Sequence, residues 1–373
     1  MATHSSPTMA RNLQIRRLMG ELLAQARAGT FQIDAVTRLK LHQVCATNVW
    51  GFREVLLVMC IGRLLDPQYS PTSNFYGCNP RAIYEGPIRE ALYEAGIPHG
   101  KSGPLNVAKA AAGINEAWAA QRRPREVARV VVELAQRIEQ ASSSEVRGLT
   151  TALLAELLTE AKRVAGYVIQ VPREADVSRL VNLCWKMMDE VPDAGNTPQR
   201  IVGLLLEAYH EHIESNVKVT GHKERASVTS TTSKKPGDIM EESASGKVLA
   251  VYEVTVKPFD EQRASDSHEA VQAFARSINQ SIPEVTVVCR DEDVHPSATW
   301  AKDSTLNMAT LDFRGVRYQF IEIHHWVASV LNRLAPEARV KFYTRLNDYV
   351  SEPSTSERVK AFWRQLHEEE VAE

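Results

Sequence analysis

Two hydrophobic periodicities divide this 373-residue chain, and the change from one to the other limits the folds open to it. From residue 10 to 215, apolar side chains recur every three to four positions, the spacing of one helix face. Leu13, Ile15, Leu18, Leu22, Leu23 and Ala26 set the pattern, and Gly29 ends it. Comparable helical segments fall at roughly 33–46, 50–65, 81–95, 104–120, 124–140, 145–166, 176–190 and 198–214. Pro124 and Pro198 stand where helices begin, because proline suits a first turn. No fixed period repeats among these segments, which speaks against a solenoid.

Beyond residue 238 the pattern becomes strand-like. Asp238-Ile-Met-Glu241 reads as a short strand, 241–246 as a turn and Lys247–Lys257 as a strong strand. A helix is expected over 264–280, through Ala270, Val271, Phe274, Ala275 and Ile278. Val285–Cys289 is the continuous apolar run of a buried strand. Leu311–Phe313 and Tyr318–Ile323 flank a turn at Arg314-Gly315, and helices follow at about 324–335, 337–350 and 355–370. The expected fold is α+β (α/β), with an all-helical domain over 1–215 and a polar linker over 216–237. Residues 238–373 then form a small mixed sheet flanked by helices.

Bulk chemistry removes several function classes. Hydrophobic residues make up 44% and charged ones 24%, an ordinary globular balance. The net charge of −2 gives no global basicity, so nucleic-acid binding would rest on local patches. Cys45, Cys60, Cys78, Cys184 and Cys289 are scattered without a Cys-x-x-Cys pair, which excludes a zinc knuckle or a thioredoxin-type motif and fits reduced thiols. The opening Met-Ala-Thr-His-Ser-Ser-Pro lacks the apolar core of a signal peptide. Val55–Leu65 is interrupted by Arg63 and is too short to span a bilayer. A cytoplasmic protein with no membrane partner is expected.

The stretch that carries chemistry is Pro236-Gly237-Asp238, followed by Lys247 to Lys257. On a strand, Glu253, Thr255 and Lys257 share one face while Val254 and Val256 take the other. Two carboxylates converging beside a lysine can hold a divalent metal and activate water against phosphate. Phosphodiesters are anionic and resist hydroxide, so their hydrolysis needs positive charge and an oriented water. The plainer alternative is a surface Glu–Lys pair. Against it, Tyr252 and its flanking valines suggest a strand buried on both faces, where unpaired charge is costly.

This order resembles the catalytic core of PD-(D/E)XK nucleases, which include many type II restriction endonucleases and place an Asp on one strand and Glu-x-Lys on the next. The resemblance covers roughly residues 235–325. It implies Asp238 and Glu253 as ligands of Mg²⁺ and Lys257 as the lysine that assists the attacking water. It departs from the pattern at Thr255, which stands where the lysine belongs, with Lys257 about 7 Å further along the same face. Glu241 and Glu242 are the alternative acids should Glu253 be displaced. The resemblance further implies cleavage of double-stranded DNA at specific sites by a homodimer, paired with a cognate DNA methyltransferase. A repair nuclease and a non-catalytic helical binding module are the competing readings.

Two segments are candidates for DNA contact. The loop Gly96–Asn106 carries His99, Lys101 and Ser102, and reads either as a helix–helix connector or as a contact to a nucleic-acid backbone. Its Gly100-Lys101-Ser102 imitates a P-loop ending, but Ala95 replaces the required first glycine and a helix precedes it. The segment 216–237 carries Lys218, Lys223, Arg225, Lys234 and Lys235 against a single acid, Glu224. It reads equally as a solvated linker or a basic arm along phosphates. Arg81, Tyr84, Glu85 and Arg89 form a further candidate DNA-contacting helix. The pair His324-His325 reads as structural, His210 and His212 as exposed helix residues, and contiguous Ser267-His268-Glu269 diverges on a helix.

Overall fold

The computed structural model describes residues 7–100, 102–172, 175–224, 235–301 and 308–372. It divides the chain into two compact units, one of residues 1–166 with 352–355, the other of 167–351 with 356–373. The first is helical. Its main helices are α1 (Pro7–Ala28), α2 (Ala35–Cys45), α3 (Gly51–Leu65), α4 (Arg125–Gln140) and α5 (Ser143–Ala165). Capping chemistry sets their starts. The Asp34 side chain accepts the Thr37 N–H before α2, and Ser142 with Glu145 forms a reciprocal capping box before α5. Helix α3 is buried on nearly every side from Gly51 to Gly62 and forms the centre of this core.

The predicted helix over 104–120 is instead two short ones, Leu105–Ala108 and Glu116–Ala120. Ala110 takes a positive φ between them, and Gly113 lies so close to the Thr72 carbonyl that no side chain would fit. The predicted helix at 81–95 is a broken one, with a π-helical turn over Tyr84–Ile88 that carries Pro87.

The second unit opens with α6 (Val177–Glu190) and α7 (Asn196–His212), which sequence periodicity assigned to the N-terminal domain. Their apolar faces are buried with strand residues Ile239, Val254 and Val288 rather than with the first helical core. The boundary therefore falls at Gly166 instead of residue 215. Among the described residues the strands are β1 (Lys218–Thr220), β2 (Ile239–Glu242), β3 (Val248–Thr255), β4 (Glu284–Cys289), β5 (Thr299–Trp300), β6 (Met308–Phe313) and β7 (Val316–Glu322). They form one sheet in the order β1-β2-β3-β4-β7-β6-β5.

Strands β1, β2 and β3 make an antiparallel meander, then α8 (Glu261–Ile278) crosses over so that β4 runs parallel to β3. Strand β7 is parallel to β4, and β6 and β5 return antiparallel. Alternation of side chains gives the sheet two apolar faces. One packs Met240, Val251, Val287 and Phe320 against Ala264 and Val271 of α8. The other packs Ile239, Val254 and Val288 against α7 and the following helices α9 (Ile323–Arg333), α10 (Pro336–Ser351) and α11 (Glu357–Ala372). The chain is thus an α+β protein with a helical N-terminal region and a mixed sheet covered by helices on both faces.

Residues 216–224 are not linker. Val219 is buried in β1, which pairs with β2, and the Gln199 side-chain amide donates to the Gly221 carbonyl. A three-residue strand with one apolar side chain leaves too faint an alternation to read from sequence. All five cysteines are free, and among the described residues no helix is long and apolar enough to cross a membrane.

Candidate active site

Asp238 immediately precedes β2, and the register Ile239↔Tyr252 places it opposite Glu253 on β3. Both side chains belong to the sheet face covered by α8, as do Met240 and Val251 two residues away along each strand. The close approach depends on Gly237. A Cβ there would lie 2.8 Å from the Tyr252 carbonyl oxygen and 2.7 Å from a Val251 methyl, so any side chain would push the Asp238 segment off β3. One Asp238 carboxylate oxygen accepts the Val254 N–H at 2.9 Å, fixing the carboxyl against the strand.

Glu253 is buried, and its Oε1 accepts the Ser267 hydroxyl at 3.1 Å. Burial, then the neighbouring Asp238 carboxylate, push its pKa up to about 8; the Asp238 pKa is also raised, chiefly by burial. Two carboxyl groups this close in a desolvated site cannot both ionise freely. The guanidinium of Arg263 opposes the rise at both groups. Tyr318 on β7 brings its hydroxyl to the same place, and burial raises its pKa to about 12.

Helix α8 supplies the other wall. Asp260 caps its first turn by accepting the Arg263 N–H at 2.9 Å. Arg263 and Ser267 lie four residues apart and so project from one face of the helix. Ser267 meets Glu253, while Arg263 donates through Nη1 to the Thr255 hydroxyl. The half-buried Arg263 is steadied by the Phe259 ring, 5.7 Å from its Cζ.

The lysine expectation fails on backbone grounds. Strand β3 ends at Thr255, because the Thr255 hydroxyl donates to the Lys257 carbonyl at 2.9 Å and accepts the Lys257 N–H at 3.0 Å. That side-chain turn takes Lys257 out of the strand and leaves it exposed, so alternation no longer places it on the face of Glu253. The alternative acids are also resolved. Glu241 lies on the opposite face of β2, bonded to His210 of α7 at 2.9 Å, and Glu242 follows a break in register and pairs across to Lys218. Asp238 and Glu253 are the acids brought together.

Among the described residues, no three His, Cys, Asp or Glu side chains form a metal-holding cluster. The available donor set is two carboxylates, all oxygen, in a site where each raises the cost of charging the other. That set fits Mg²⁺, which takes one or two protein carboxylates and completes its shell with water and substrate phosphate.

The other predicted contacts are differently placed. Lys223 pairs with Glu207 of α7 at 3.0 Å, and Lys235 is paired with Glu224. Lys101, Arg225 and Lys234 lie outside the described residues. Ser102 belongs to the first unit, in a loop braced from within. There Gly100 N–H donates to buried Glu54, Tyr84 donates to the same carboxylate at 2.7 Å, and buried Arg53 donates to the Pro98 carbonyl at 2.7 Å. The Gly100 N–H and the Pro98 carbonyl are thus committed internally. Arg81 is bonded to Glu85 at 3.0 Å on the same turn.

His324 sits between two carboxylates, Glu322 at 2.7 Å and Asp189 of α6 at 3.1 Å, and the Glu322 hydrogen bond leads the rise in its pKa. Glu322 also caps α9 by accepting the His325 N–H, so His324 joins helix to helix at the end of β7.

Sequence reading missed Arg263 and gave Ser267 no role. The signal was a base and a hydroxyl at i and i+4 on the same side as Ala264, Ala270 and Val271, an otherwise apolar helix face. Comparison with protein-family models and with curated proteins finds no match to this chain.

Proposed function

We propose that the second unit is a metal-dependent endodeoxyribonuclease of the PD-(D/E)XK type, hydrolysing phosphodiesters of double-stranded DNA at specific sites. The observation that carries this reading is the pairing of Asp238 with Glu253 across adjacent registered strands, in a buried all-oxygen site. It matches the order of acids in the resemblance and offers the donors that Mg²⁺ prefers. By the same reading the protein acts in restriction as a homodimer, so that two-fold symmetry delivers cleavage of both strands, alongside a cognate DNA methyltransferase.

Asp238 and Glu253 would hold the ion, and bound Mg²⁺ would supply positive charge to the phosphate and lower the pKa of a water. The protein's own contribution is positional. Gly237 lets Asp238 lie against β3, the Val254 N–H holds one carboxylate oxygen, and Ser267 holds Glu253 from the helix side. Water's oxygen then bonds to phosphorus as the bond from phosphorus to the leaving sugar oxygen breaks. The products are a phosphate monoester and a hydroxyl, with no redox change.

The test is nicking and linearisation of supercoiled plasmid with Mg²⁺, comparing wild type with Asp238→Ala and Asp238→Asn. Loss of one ligand from a two-carboxylate site should lower the rate by about a hundredfold or more. Equal cleavage by wild type and both variants would sink the assignment.

A further inference from the structure

Thr255 lies two residues after Glu253 on the same face, the place where the resemblance puts its lysine. What fills that place is a guanidinium entering from the helix. Arg263 donates Nη1 to Thr255, and the other N–H groups of its guanidinium make no hydrogen bond among the described residues. It is one helical turn from Ser267, which touches Glu253. Thr255 cannot move freely, because its hydroxyl also bonds both backbone groups of Lys257. Lys257, the cation expected at this end of the strand, is exposed beyond the strand end.

Resting on the endonuclease reading, we propose that Arg263, and not Lys257, is the catalytic cation that contacts the scissile phosphate, with Thr255 as the residue that aims it. A guanidinium suits this task through its planar fork: one arm is held by Thr255 while the remaining donors meet non-bridging phosphate oxygens. It stays protonated throughout and so cannot be the base that deprotonates water. Its role is to offset the negative charge that grows on the phosphate as the water oxygen bonds and the sugar oxygen leaves. The proton lost by water passes to solvent, and the departing oxygen gains one from solvent.

The experiment compares wild type, Arg263→Gln, Arg263→Lys, Lys257→Ala and Asp238→Ala on supercoiled plasmid with Mg²⁺. Thermal unfolding with and without Mg²⁺ is measured beside it. Arg263→Gln should cleave at least about a hundredfold more slowly, and Lys257→Ala should stay within about fivefold of wild type. Arg263→Lys, which restores the charge without the fork, should exceed Arg263→Gln by about tenfold or more. Added guanidinium ion should speed a variant that lacks the cation but not Asp238→Ala. Arg263→Gln should keep its Mg²⁺-dependent rise in melting temperature, whereas Asp238→Ala should lose it.

The proposal is overturned if Arg263→Gln cleaves like wild type, if Arg263→Lys is no better than Arg263→Gln, or if Lys257→Ala alone abolishes cleavage. It is equally overturned if Arg263→Gln loses the Mg²⁺ effect, since Arg263 would then be a scaffold for the acids. Wild type that leaves the plasmid intact removes the endonuclease reading and the role of Arg263 together. Wild type that cleaves while Arg263→Gln is unimpaired removes the role of Arg263 alone.

Discussion

A carboxyl group buried beside another carboxyl holds its proton more tightly in the folded chain than in the unfolded one. Glu253 is in that position, its pKa carried from the ordinary 4.5 to about 8. The sign follows from linkage: below pH 4.5 both states are protonated and the contribution is fully present, and it is lost as pH rises through the folded value. Each unit of that window costs up to about 1.4 kcal/mol for a single proton. In metal-free protein, Glu253→Gln should therefore raise the urea midpoint at pH 8 and change it little at pH 4. A variant that is equally displaced at both pH values would show that Glu253 is not held protonated. Because a divalent cation needs the ionised pair, its stabilising effect on wild type should grow from pH 5 to pH 8. Asp238 was legible from sequence because Pro-Gly-Asp before an apolar run announces itself. Lys257 was misplaced because a hydroxyl turning the chain leaves no mark in hydrophobic alternation.

At the scale of elements, β1 illustrates how much support a short strand draws from a helix. Gly203 of α7 faces His222, and a Cβ at that position would lie 2.0 Å from the His222 Cβ. His222 is buried, with Nε2 3.1 Å from Glu207, so it has nowhere to retreat. Gly203→Ala should therefore destabilise the second unit by about 1–3 kcal/mol, read as a fall in thermal or urea midpoint. A change below about 0.5 kcal/mol would mean that the β1 segment yields without cost. Helices α1, α2, α4, α6 and α8 were legible from periodicity, β3 and β4 from their valine-rich runs and β7 from its alternating Tyr318 and Phe320, since each carries enough apolar positions to define a period. The two-residue β5 carries too few. What Arg263 and Ser267 would meet from the apolar face of α8 was also hidden, because the partner of a helix face is decided by packing. That face holds half of the candidate site.

For the whole molecule, composition and periodicity placed helices before a mixed sheet, but the division between units lies near Gly166, some way before the polar segment. Apolar spacing describes a helix and not the core it joins, so α6 and α7 looked like a continuation of the helices before them. The short segment 352–355 returns to the first unit, where the Pro353 carbonyl accepts the N–H of buried His99 at 3.4 Å. A fragment ending at Gly166 lacks that acceptor. The His99 amide should exchange hydrogen faster in the fragment than in the full chain, by hydrogen-exchange mass spectrometry over Ile97–Gly100; identical protection would remove any role for the returning segment. The same feature sets an order of events during synthesis. A chain leaving the ribosome has its first 166 residues available early, but the piece that completes their packing emerges only after the whole sheet has been made. The first unit thus stays incomplete until nearly the whole second unit has been made, although most of it is translated first.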